Sequence, residues 1–99
     1  MEIKIQAIHF EATARLHEFI QKKTLKLEKL YSDIKKVEVV LKVVKPETTG
    51  NKEVGIKLLV PNGELYAAKV KDTFEESVDE AIEALLKQLQ KYKEKQRAK

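Results

Sequence analysis

Apolar residues in this chain keep two different spacings, and the order in which those spacings alternate leaves few folds open. Residues 2–9 set Ile3, Ile5 and Ala7 against Glu2, Lys4 and Gln6, the two-residue period of a half-buried strand. Residues 34–45 repeat it, with Val37, Val39, Leu41 and Val43 facing inward and Lys36, Glu38 and Lys42 outward. Val54, Ile56, Leu58 and Val60 predict a third strand. PNGE at 61–64 supplies an Asn62-Gly63 turn, and Tyr66, Ala68 and Val70 are expected to line a fourth. Between the first two strands the period changes to helical. Leu16, Ile20, Leu27 and Tyr31 share one face, Thr13 or Glu11 can cap the start, and Ser32 and Asp33 break the pattern. A second helix opens at Asp72 or Thr73, where Thr73 and Glu76 spell a capping box. Phe74, Val78, Ala81, Ile82, Leu85, Leu89 and Tyr92 form its apolar stripe.

The order is β-α-β-β-β-α. Because each strand has a single apolar face, both helices must cover the same side of the sheet. The expected fold class is therefore α+β, a four-stranded mixed sheet with two helices packed on one face. A right-handed crossover makes the first two strands parallel, and the last three form an antiparallel meander. Residues 1–95 are expected to form one domain, and the basic tail at 96–99 to fray.

Bulk composition narrows the function classes. At 42% hydrophobic and 36% charged, the 99 residues belong to a globular domain, not a disordered one. No apolar run approaches the roughly 20 residues of a membrane span, so no membrane partner is expected. The N-terminal MEIKIQAIHF lacks a signal-peptide layout. Cysteine is absent, which removes disulfide and thiolate chemistry and fits a cytoplasmic location.

Catalytic groups are sparse. His9 and His17 are expected at a strand end and a helix flank, without the Cys, His or Asp neighbours that metal ligation needs. Gly50, Gly55 and Gly63 are too scattered to cradle a phosphate, and Ser32 and Ser77 have no nucleophile context. The carboxylates at 75–83 read as a solvated helix flank. No enzyme activity, cofactor, metal or small-molecule substrate is expected. Phe10, Phe19, Phe74 and Tyr31 fall on or beside apolar stripes, and Tyr66 alternates with inward strand residues, so stacking of bases on the sheet is disfavoured.

Charge is sorted where composition alone is neutral on the matter. The net charge is only +4. Wound at about 100° per residue with Leu16 at zero, the first helix gathers Arg15, Lys22, Lys26 and Lys29 at roughly 220–280°, with Glu18 the acid beside them. The second helix carries Glu75, Glu76, Asp79, Glu80 and Glu83 first, then Lys87, Lys91, Lys93 and Lys95. The helix dipole favours that second arrangement but says nothing about the first, whose cations run the whole length. Two such helices on one sheet face can join seven or eight cations into a field that tracks phosphates.

IHFEAT at 8–13, KKTLKLEKL at 22–30, PNGELYA at 61–67 and DTFEE with LLKQLQKYKEK at 72–95 resemble the ribosome hibernation-promoting factor family, also known as ribosome-associated inhibitor A or sigma-54 modulation proteins. The resemblance spans essentially the whole chain, in a short form without the C-terminal dimerisation domain of long members. It implies the same β-α-β-β-β-α fold. It further implies binding to the small ribosomal subunit and its rRNA, in the channel where messenger and transfer RNA sit, so that initiation is blocked in stationary or stressed cells. The RNA-binding residues it carries over are Lys22, Lys23, Lys26 and Lys29, then Lys87, Lys91 and Lys93; Arg15 extends the first stripe by charge and position. This sequence departs from the family's usual pattern at Ile8, Thr24 and Ala84. A monomer is expected away from the ribosome. The competing reading is a protein–protein regulatory module, such as a transcription-factor modulator, using the same basic face. Leu25 is the lone apolar candidate expected on its outer side.

Overall fold

The computed structural model describes residues 1–45 and 49–97. Strands β1 (Glu2–Ala7), β2 (Lys36–Val43), β3 (Lys52–Val60) and β4 (Gly63–Lys71) form one sheet in the order β1-β2-β3-β4. Pairing of β1 with β2 is parallel, and the other two pairings are antiparallel. Helices α1 (Ala14–Leu30) and α2 (Phe74–Arg97) complete the expected order. Residues 46–48 of the turn-rich loop and 98–99 of the expected tail lie outside the described residues; α2 continues through the first two tail positions.

Local chemistry explains where the helices begin. Thr13 sits in the extended region and its hydroxyl accepts the Leu16 N–H at 3.1 Å, so Thr13 and not Glu11 is the cap. Thr73 receives the Glu76 N–H at 3.1 Å in the same way. One cluster holds the core: Leu16, Ile20 and Leu27 from α1, Val78, Ile82, Leu85 and Leu89 from α2, and Val37, Val39, Leu41, Val54, Ile56 and Leu58 from the sheet. Each such side chain contributes roughly 1.5–3 kcal/mol by leaving water. Thr24 is also fully buried, its hydroxyl donating to the Gln21 carbonyl at 2.9 Å, which leaves Leu25 on the outer side, 47% exposed.

Strand direction sets helix direction. β1, β2 and β4 run one way and each helix returns antiparallel to the strand before it, so α1 and α2 lie side by side and parallel. Contacts at both ends agree. Phe10, just ahead of α1, and Phe74, the first residue of α2, stack with centroids 5.2 Å apart, while Tyr31 and Tyr92 meet edge to face at 5.8 Å near the other end.

The β3–β4 hairpin corrects one expectation. Its two-residue loop is Pro61 and Asn62, with Asn62 at φ 68°, and Val60 pairs with Gly63. Asn62 thus takes the left-handed second position after a proline, instead of opening an Asn62-Gly63 turn. The resulting register sets inward Leu58 and Ile56 opposite Leu65 and Ala67. Tyr66, Ala68 and Val70 consequently point to the open face of the sheet, and Tyr66 is 59% exposed. A two-residue loop fixes the parity of the pairing, so odd-numbered β4 residues must share the face of even-numbered β3 residues.

Ser77 closes the far end of the same ladder. Its buried hydroxyl accepts the Lys71 N–H at 3.0 Å and lies 2.6 Å from the Lys52 carbonyl, replacing a direct bond between two paired residues. Ser77→Ala strands a donor and an acceptor, and should lower unfolding free energy by about 1–3 kcal/mol. Urea titration followed by circular dichroism checks this; an unchanged midpoint would show the bridge to be dispensable.

Candidate nucleic-acid interface

Along α1, Arg15, Lys22, Lys26 and Lys29 are all exposed, on a line of roughly 21 Å from first to last. Among the described residues none of the four forms an ion pair. Glu28, on the other flank of the helix, is held 3.6 Å from the N-terminal ammonium of Met1.

Lys23 behaves differently from its neighbour Lys22. It is half-buried at the seam between the helices, 3.1 Å from Asp79 and 5.4 Å from the centre of the Phe19 ring. Asp79 therefore meets α1 near its midpoint. The acidic half of α2 flanks the first half of the α1 stripe, whereas Lys91, which shares a groove with Leu65, stands on the flank of α2 turned towards β4. Partners compensate part of that acidic half. Asp79 has Lys23, and Glu80 holds Lys71 at 2.9 Å. The Lys71 ammonium is kept above the usual lysine range, first by the hydrogen bond to Glu80 and then by its charge.

On the basic half, Lys87 and Lys91 are exposed and form no ion pair among the described residues. Lys93 turns inward instead and donates to the Leu30 carbonyl at 3.1 Å, satisfying one of the last backbone acceptors of α1. Of the eight cations expected on this surface, six thus face solvent without an ion pair among the described residues, while Lys23 and Lys93 tie the helices together.

The other face of the sheet is electrically balanced. Glu38 lies between Lys36 at 3.5 Å and Lys57 at 3.9 Å, and Lys57 also reaches Glu64 at 3.8 Å. Val40 and Val70 are 38% and 41% exposed there, beside Tyr66. Leu25 is consequently not the lone outward apolar residue. Tyr66 lies across Gly55, where a Cβ would stand 2.6 Å from the phenolic oxygen. The sequence holds one signal for this patch, the hairpin parity described above.

His9 is exposed in the turn leaving β1, with φ 64°, and His17 is half-buried on α1. No His, Asp and Glu group of three or more among the described residues could hold a metal ion. No described helix is long and apolar enough to cross a membrane.

An α+β domain with paired parallel helices and a row of unpaired cations is the class that fold and site define. Residues 3–97 match the family described as sigma 54 modulation protein / S30EA ribosomal protein, and the chain belongs to that family. Relatives named ribosome hibernation promoting factor include one from Escherichia coli K12, 35% identical over 95 residues, covering 96% of each chain. Another, from Pseudomonas putida, is 30% identical over 98 residues, covering 99% of this chain and 92% of its own. Among solved structures, a ribosomal subunit interface protein from Coxiella burnetii shares the fold at a TM-score of 0.85, with 22% identity across 94% of this chain and 98% of its own. The N-terminal domain of Thermus thermophilus Protein Y superposes at 0.79, with 20% identity across 93% and 99%.

The two kinds of lysine should separate in a stability measurement. Lys93→Met removes the bond to Leu30 and is expected to lower stability by about 0.5–1.5 kcal/mol. Lys26→Met should stay within about 0.5 kcal/mol of the parent. Equal urea midpoints for the two variants would contradict the assignment of Lys93 to helix docking.

Proposed function

We propose that this protein is a ribosome hibernation factor. It binds small-subunit rRNA in the channel for messenger and transfer RNA and silences translation in stationary or stressed cells. The reading rests on membership of a ribosome-associated family, together with whole-length similarity to proteins named hibernation promoting factors. Its main structural support is the row Arg15, Lys22, Lys26 and Lys29, exposed and without an ion pair among the described residues, on a helix whose neighbour adds Lys87 and Lys91.

The mechanism is steric occupation of the channel. Cations neutralise phosphates and supply affinity, while the fixed spacing of two docked helices supplies register on folded RNA. No bond is made or broken. Six phosphate contacts give a fall in log affinity of about 4–5 per decade of salt.

Salt-washed ribosomes run with the protein on sucrose gradients test the reading. Co-migration with small subunits at low salt, lost as salt rises, is expected; absence from that fraction would refute it. Lys22→Glu combined with Lys26→Glu should weaken binding about tenfold or more and leave the melting temperature nearly unchanged, since exposed charges contribute little to folding. Parallel loss of folding would make these lysines structural instead.

The open sheet face favours a second reading, a protein–protein module, because Tyr66, Val40 and Val70 give it the apolar contacts that interfaces use. Partners recovered after complete nuclease digestion of the lysate would support that reading over the first.

A further inference from the structure

On the flank of α2 turned away from α1, a groove runs between the helix and edge strand β4. Leu65, Gln88, Lys91, Tyr92 and Lys95 line it as an open, shallow channel of about 510 Å³. Its polar groups are already placed. The Tyr92 hydroxyl donates to the Pro61 carbonyl, which fixes the ring as one wall of the groove. Gln88 Nε2 donates to the Tyr66 carbonyl at 2.9 Å, which anchors the amide beside the wall. Leu65 gives the groove an apolar floor beside that aromatic wall. Lys91 and Lys95, one helical turn apart, stand on it as cations without an ion pair among the described residues.

Charge separates this groove from three other concave surfaces. A groove on the outer side of α2 includes Glu83 and Glu94, another beside β4 includes Glu80 and Glu83, and a small one on the open sheet face includes Glu38. Each of those sets a carboxylate where a phosphate would approach. The groove under Lys91 and Lys95 has none.

We propose that this groove seats one unpaired nucleotide of a single-stranded RNA segment, its base against Leu65 and the Tyr92 ring and its phosphate between Lys91 and Lys95. Every base has an apolar face, so such a seat is tolerant of sequence, and stacking on an aromatic wall combined with paired cations is how single strands are held elsewhere. The carboxamide oxygen of Gln88, which takes no donor from the described residues, can accept an N–H from the base edge. The proposal rests on the RNA-binding reading above and extends it. Backbone contacts along α1 position the protein, and the groove adds a contact that duplex RNA cannot make, because paired bases are already stacked.

Nuclear magnetic resonance titration with a mixed-sequence RNA hexanucleotide, and with a duplex of the same sequence, tests it. The single strand should shift the Gln88 side-chain amide and the backbone amides of Leu65 and Tyr92; the duplex should leave them in place while moving signals of residues 15–29. Lys95→Glu should weaken hexanucleotide binding about fivefold and Lys95→Arg should restore it, with melting temperatures confirming that both variants fold. Groove signals that stay still with the single strand, or Lys95→Glu binding it as the parent does, would overturn the proposal. A glutamate-rich peptide that moves the groove signals while the hexanucleotide does not would overturn it in favour of an acidic protein ligand. Because sucrose-gradient binding to small subunits is measured separately, a silent groove on a ribosome-binding protein removes this inference alone, whereas loss of both removes the functional reading as well.

Discussion

A sheet with one apolar face has only one place to put two amphipathic helices. β1 and β2 are parallel, so α1 must return antiparallel to both, and the meander delivers α2 onto the same face in the same direction. Parallel neighbours align their macrodipoles, so two sets of unsatisfied carbonyls share one end of the molecule. Lys93 bonds directly to the last carbonyl of α1, and Lys29 stands in its final turn. Acidic Glu75 and Glu76 occupy the first turn of α2, where the opposite pole lies. Much of the charge order in this chain follows from that arrangement.

The dipole leaves a remainder, and the remainder is informative. Its influence falls away within the last turn. Lys22 sits two turns before the end of α1 and Arg15 near its start, where a cation meets the wrong pole. Exposed, without an ion pair among the described residues and unrewarded by the helix, these residues suit a partner that brings its own negative charge. On the opposite side of the sheet, Lys36, Glu38, Lys57 and Glu64 neutralise one another. The four charges at the centre of that face thus balance, whereas those along α1 do not.

Strand period and helix stripes could be read directly, and each helix cap to within two candidates, because each depends on residues within a few positions of one another. β4 could not. Leu65 and Ala67 alternate with Tyr66, Ala68 and Val70, so both faces of that strand carry apolar residues and its pattern alone is ambiguous. The two-residue loop resolves the choice by parity, placing Tyr66 over Gly55 on the open side. Lys22 and Lys23 present the same difficulty in charge. They are chemically identical neighbours, 100° apart on a helix, and nothing local shows that only one of them meets Asp79.

The amino-acid order by itself determined the elements, the inward face of the first three strands and the cation stripe on α1, because periodicity along a chain is also periodicity around a helix or across a strand. Only the tertiary structure decided which lysines are free. An ion pair or a capped carbonyl depends on a distance of a few ångströms between residues far apart in sequence. Packing of α2 against α1 brings Asp79 to Lys23 and Lys93 to Leu30, and leaves Lys22, Lys26 and Lys29 in water.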